Sequence, residues 1–382
     1  MSTSSATVAA KDTDTSVLSV DCDVHPHLRE GLSDLVPYMP SSWQKRLGAG
    51  HAEGWSKDVY ASSFSIPKNV LYVNPVGVMR RDALPEDGSV PASDPAMVRA
   101  QLLDEFGIDR AVLIGGNTLG LGALPDADLA AVIASAYNDH MTEHWLEYDE
   151  RFRGALVVAP QDAEQAVAEI ERVGDRAGMV QVFLPLMNVL MGDRHYYPIY
   201  AAAAERGLPI SVHPNSADGI FAKAPALAGG IFTYYIEWHT ALTQIFQSNV
   251  ISLTCHGVFE RFPELRLIVA EGGFAWLPDV MWRLDKDWHS VRDEVPWLKR
   301  PPSEYILDHV KFTTQPFVEA TDPDHVGRIC EIIEADRTLL YSSDYPHWDF
   351  DNPRRALAGL PEATRARIIG ETAVELYGER IL

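Results

Sequence analysis

Two textures of apolar and polar positions alternate along this chain. Short runs rich in Val, Ile and Leu fall at 17–23, 111–114, 154–158, 180–183, 209–212, 265–270, 310–313 and 339–342. Runs of that length suit strands buried on both faces. Between them lie longer stretches with apolar residues three and four apart, which predict helices over 126–147, 161–173, 198–206, 231–261 (broken), 278–292 and 324–335. The third of these ends in Glu205-Arg206-Gly207, with the glycine placed to stop it. Eight strands with intervening helices predict an α/β fold, a (β/α)8 TIM barrel. An open doubly wound sheet is the alternative, but no Gly-x-Gly-x-x-Gly turn follows an early strand.

The stretch from about 28 to 96 breaks this rhythm. It is rich in Pro, Gly, Ser and aromatic residues and far longer than an ordinary connection of ~4–6 residues. We read it as a long insertion after strand one, on the face of a barrel that carries chemistry. Residues 1–16 are rich in Ser, Thr and Ala without the basic start and apolar block of a signal peptide, and are expected to be a disordered tail. Residues 17–382 then form a single domain.

Composition narrows the functional classes. Thirty-two basic against 54 acidic side chains give a net charge of −22, which argues against nucleic acid and anionic membranes as partners. The 3 cysteines lack CxxC spacing and point to a reduced, cytoplasmic protein. No run reaches the ~18 apolar residues of a membrane span. A small molecule is the expected substrate.

Catalytic residues of barrels sit where strands end. Strand one runs into Asp21-Cys22-Asp23-Val24-His25-Pro26-His27, where His25 and His27, two residues apart in extended chain, aim to one side. Strand five ends in His213, strand six in Glu271-Gly272-Gly273 and strand eight in Asp344. Three imidazoles and two carboxylates converging on one mouth suit one or two divalent ions, zinc, iron or manganese. An acid delivered by an apolar strand also needs a compensating charge, which a metal supplies.

The ordered set Asp-x-His-x-His, Ser-Val-His-Pro, residues 257–266, Glu-Gly-Gly and Ser-Ser-Asp-Tyr-Pro-His resembles the amidohydrolase-related family, which includes aminocarboxymuconate-semialdehyde decarboxylase. The resemblance runs from about Val20 to the C-terminus. It implies a barrel, with metal ligation by His25, His27, His213 and Asp344, and leaves the reaction open. One position departs: the decarboxylase branch typically has His where this chain has Glu271. That change favours metal-activated water with Asp344 or Glu271 as the proton acceptor, hence a hydrolase, or a two-metal centre bridged by Glu271. Nonoxidative decarboxylation and oxygen chemistry at a dinuclear iron or manganese site are the alternatives, and a non-catalytic partner subunit is the contrasting class.

Several residues play supporting parts in this reading. His239 and His347 are candidates for a second metal or for orienting ligands, while His256 reads as structural. Arg80, Arg81 and Lys68 are candidates for binding an anionic substrate, with Arg194 and His195 a second option. Trp43, Trp55, Tyr60, Phe64 and Tyr72 either line a pocket or pack the insertion. Tyr234, Tyr235 and Trp238 on one helix suggest a homodimer or a related heteromer.

Overall fold

The computed structural model describes residues 17–47 and 79–382. The expected tail, Lys68 and the aromatic positions 55, 60, 64 and 72 lie outside them. Eight parallel strands follow one another in a single sheet: β1 (Val20–Val24), β2 (Arg110–Leu113), β3 (Phe152–Val157), β4 (Met179–Phe183), β5 (Ile210–Val212), β6 (Leu267–Val269), β7 (Val310–Thr313) and β8 (Leu339–Leu340). The ring closes where β8 and the chain beyond it meet β1. Cys22 N–H donates to the Tyr341 carbonyl at 2.9 Å, His25 N–H to Tyr345 at 2.8 Å, and Asp344 N–H to Asp23 at 3.1 Å. The fold is a (β/α)8 barrel, and every one of the eight apolar runs holds a strand.

The helices pack outside by the spacing that predicted them. In Ala163–Val173 the buried residues Ala166, Ile170 and Val173 share one stripe, and Asp162 caps the start by accepting from Glu164 and Gln165 amides. Predicted helix 126–147 is an α-helix, Ala127–His140, continued by a π-turn over Met141–Leu146. The broken stretch divides into Tyr235–Ala241, Thr243–Cys255 and Val258–Arg261. Helices Pro302–His309 and Thr372–Tyr377 carried no expectation. The second of these plugs the lower end of the barrel. Tyr377 packs there with Val20, Cys22, Val112, Val180, Ile268 and Leu340, and its hydroxyl donates to Gln181 Oε1 at 2.7 Å. The barrel interior is therefore filled from below by this helix.

One irregularity positions the site. The β1–β2 register slips between Asp21 and Val24, a bulge that places one extra residue on β1. Cys22 points into the interior with Tyr377, and Asp23 also faces inward, toward His213. Without the bulge, neighbouring residues would face opposite sides. Asp21 lies at the slip, and its Oδ1 accepts from the backbone amides of Asp23 and Ser343 at 3.3 and 3.0 Å. Burial, outweighing those bonds, pushes its carboxyl up to about 7.

Candidate active site

Four fully buried side chains meet at the top of the barrel: Asp23 from β1, His25 just after it, His213 after β5 and Asp344 after β8. One ligand atom from each lies within 4.8 Å of the others. His25 Nε2 is 3.3 Å from Asp23 Oδ1 and 3.0 Å from Asp344 Oδ1, and His213 Nε2 is 3.5 Å from Asp23 Oδ2. Both histidines present Nε2 for a defined reason. The Nδ1–H of His25 donates to the Ile114 carbonyl at 3.0 Å and that of His213 to the Pro214 carbonyl at 2.6 Å, leaving the Nε2 lone pairs inward.

Whether a divalent ion fits can be judged from these atoms. His25 Nε2, His213 Nε2, Asp344 Oδ2 and both Asp23 oxygens are buried without a hydrogen-bond partner. Leaving that many polar atoms unsatisfied in a dry interior costs several kcal/mol. Two imidazoles and two carboxylates are a donor set that divalent zinc, manganese or iron satisfies. The residues fit a metal.

Beside this group lies a second. Glu271 Oε2 stands 3.1 Å from His213 Nε2, while Oε1 stands 3.4 Å from His239 Nε2; Asp349 Oδ2 is 3.6 Å from the same His239 atom. Glu271 and Asp344 both hold left-handed backbone, φ 49° and 61°, which β-strand ends rarely adopt outside functional sites. Gly272 is required next to Glu271, since a Cβ there would meet Val269 at 2.2 Å. His347 Nδ1–H donates to Asp344 Oδ1 at 2.7 Å.

The electrostatics follow from burial against charge. For His347 burial opposes protonation, but Asp344 outweighs it and lifts the imidazole to about 9. Burial would raise Asp344; His347 and His25 reverse that and hold its carboxyl well below the usual carboxylate range. Without an ion present, Asp23 and Glu271 favour the charged form of His213 against its burial. Burial, reinforced by Asp344 and Glu271, pushes Asp349 up to about 7.

These groups form the floor of a cleft walled by Leu119, Tyr235, Trp238, Leu242 and Trp348. Tyr235 stacks on His239 with centroids 5.2 Å apart, and its hydroxyl accepts from Trp348 Nε1 at 3.1 Å. The flat aromatic walls suit a planar ligand.

The expected residues divide between those the cleft gathers and those it does not. His25, His213, Asp344, Glu271, His239 and His347 come together. His27 lines the cleft but stands outside both groups; it packs over Gly116, and burial with His347 and His25 nearby lowers its imidazole to about 3. Neither expected arginine lines the cleft. The Arg80 guanidinium is held by Asp82, Nε to Oδ1 at 2.9 Å, and lies over the Phe350 ring at 4.1 Å; Arg81 is exposed. The substrate-binding role expected of them is corrected accordingly: Arg80 braces the chain after β8. His195 bonds the Pro160 carbonyl at 2.6 Å, away from the site. Trp238 is turned inward, donating to the Asp218 carbonyl at 2.8 Å, whereas Tyr234 is exposed. Asp23, Trp348 and Asp349 were not anticipated. Asp23 had a signal in the Asp-x-His spacing; the other two had none, because they sit in an irregular return loop.

The fold and the site together define a metal-dependent enzyme built on a (β/α)8 barrel. Residues 20–378 match the amidohydrolase family, and the chain belongs to it. It is 27% identical over 300 residues to gamma-resorcylate decarboxylase of Polaromonas sp. (strain JS666 / ATCC BAA-500), spanning 73% of this chain and 86% of that protein. It is 23% identical over 290 residues to 2-amino-3-carboxymuconate-6-semialdehyde decarboxylase of Dictyostelium discoideum, spanning 74% and 76%. The same fold appears in a dihydroxybenzoic acid decarboxylase from Polaromonas sp. JS666 with bound manganese and 2-nitroresorcinol, with TM-score 0.62, 20% identity and coverage of 94% and 96%. Among the described residues no helix is long and apolar enough to cross a membrane.

Proposed function

We propose that this chain is a divalent-metal-dependent carboxy-lyase that releases carbon dioxide from a small planar carboxylate, aromatic or conjugated. The observation that carries the reading is the buried Asp23–His25–His213–Asp344 group beneath flat aromatic walls, with the His347 imidazole bonded to Asp344 at its edge. The relatives named above are decarboxylases, which supports the same choice.

Asp23, His25, His213 and Asp344 would hold the ion. When bound, it supplies a Lewis acid that draws electron density from the substrate's oxygens. Tyr235 and Trp348 hold the planar substrate against the site. Asp344 fixes the ring of His347 through Nδ1 and keeps it protonated near neutral pH, leaving Nε2 to give up a proton. The bond between the ring or chain carbon and the carboxylate breaks, and its electron pair stays on that carbon. The His347 proton forms the new C–H bond, carbon dioxide leaves, and the imidazole regains a proton from water.

Hydrolysis, which Glu271 had placed first, is less well supported. The relatives that the chain matches along most of its length are decarboxylases rather than hydrolases. A panel of hydroxybenzoates and conjugated acids tests the proposal, read by loss of substrate absorbance with manganese-loaded and chelated protein. Turnover of at least one acid, abolished by chelation, is expected. A loaded enzyme that cleaves amides or esters while leaving every acid intact would restore the hydrolase.

A further inference from the structure

The lower end of the barrel holds a lysine that the chemistry at the mouth does not use. Lys311 is the second residue of β7, and the register sets it beside Ile268, which packs in the apolar layer around Tyr377. Its Nζ donates to a neutral oxygen, the Arg337 carbonyl at 2.6 Å, rather than to a carboxylate. The acids nearby are engaged elsewhere. Asp308 pairs with Arg300 and Arg337, Glu375 pairs with Arg367 at 2.6 Å, and Glu264 lies exposed.

Lys311 opens onto a cavity also lined by Leu208, Pro209, Arg266, Arg337 and Glu375. An amine and two guanidiniums therefore share one space, in a chain whose net charge is −22. An ammonium so placed is disfavoured twice, by lost hydration and by like charges. Burial, reinforced by Arg337 and Arg266 and opposed by Glu375 and Asp308, pushes the Lys311 amine down to about 8. At pH 8 about half of such amines are uncharged, against less than about 1% of ordinary lysines. A carboxylate built on the same nitrogen would turn repulsion into attraction, since guanidiniums suit planar carboxylates.

We propose that Lys311 is a modification site that takes up carbon dioxide as a carbamate, with Arg266 and Arg337 receiving the new carboxylate. The Nζ lone pair attacks the carbon and forms a C–N bond. One C=O electron pair moves onto its oxygen, and an N–H proton passes to water; nothing is oxidised or reduced. Carbon dioxide is what the reaction proposed above releases, but the modification requires only that the gas be dissolved. It therefore stands or falls independently of the chemistry at the mouth.

The experiment equilibrates the full-length protein with isotopically labelled bicarbonate at about pH 8, fixes any carbamate as its ethyl ester with triethyloxonium, and reads the peptides by mass spectrometry. The Lys311 peptide should carry the labelled ethoxycarbonyl group about tenfold more often than peptides holding the exposed Lys223 and Lys286, because more of its amine is uncharged. Lys311→Arg should lose the adduct. Arg266→Gln should reduce it severalfold without altering the circular dichroism spectrum, and carries the test if Lys311→Arg fails to fold. Labelling of Lys311 no greater than that of the exposed lysines, or labelling that Arg266→Gln leaves unchanged, would overturn the proposal.

Discussion

Replacing His347 with Asn should stop the chemistry while leaving substrate binding nearly intact. His347 is held through Nδ1 at 2.7 Å from Asp344 Oδ1, and against its own burial that carboxylate lifts the imidazole from 6.5 to about 9. The lift corresponds to about 3 kcal/mol of preference for the charged ring. At neutral pH the donor is therefore in its proton-bearing form. Asn can still accept or donate one hydrogen bond but has no proton to give. Loss of a positioned general acid typically costs 10²–10⁴-fold, so kcat should fall by about that factor with little change in KM. The pH profile is the sharper assay. Wild-type kcat should decline on the basic side as the imidazolium deprotonates, and His347→Asn should lose that limb. Carbon dioxide release measured from pH 6 to 10 reads both. Unchanged kcat, or a basic limb that survives in the variant, would refute the assignment of His347 as the acid.

Other expectations bear on the metal, the packing and the buried acids. Asp344→Asn removes a ligand-type carboxylate from a fully buried position without changing volume, so bound metal and turnover should fall while the circular dichroism spectrum persists. Gly116→Ala would place a Cβ 2.5 Å from His27 Nε2, driving that ring toward the cleft; overpacking of this kind costs about 1–3 kcal/mol, seen as a lower urea midpoint, and should raise KM. Asp218 is fully buried, and its burial pushes the carboxyl from 3.8 up to about 8. The unfolded chain therefore releases that proton first, so wild-type stability declines as pH rises from about 4 to 8. Asp218→Asn should flatten that decline, and equal slopes in urea titrations of both proteins would contradict it.

The barrel was legible because its strands are nearly continuous apolar runs, and a parallel sheet buried on both faces demands that pattern. Reading each run to its end was enough to find His25, His213, Glu271 and Asp344, since strand ends converge by geometry alone. What failed to show was non-local. The bulge in β1 decides that Asp23 faces inward beside His25, and no hydrophobic period announces a bulge. The same local geometry leaves His27 over Gly116 rather than in the ligand group. Asp349 and Trp348 reach the cleft through an irregular loop braced by Arg80, whose partners Asp82 and Phe350 are distant or unremarkable in sequence. Arginine in a long insertion suggested substrate binding; the packing of that loop, which sequence spacing does not encode, assigned it otherwise.

The central claim is that this enzyme replaces a carboxylate by a proton. Turnover of an accepted acid by the manganese-loaded protein in deuterium oxide, followed by mass spectrometry of product and headspace, tests it most directly. The account predicts one carbon dioxide released per substrate consumed, with one deuterium at the vacated carbon and no dioxygen taken up. A product that gains oxygen with dioxygen consumption, or one that keeps its carboxylate, would contradict it.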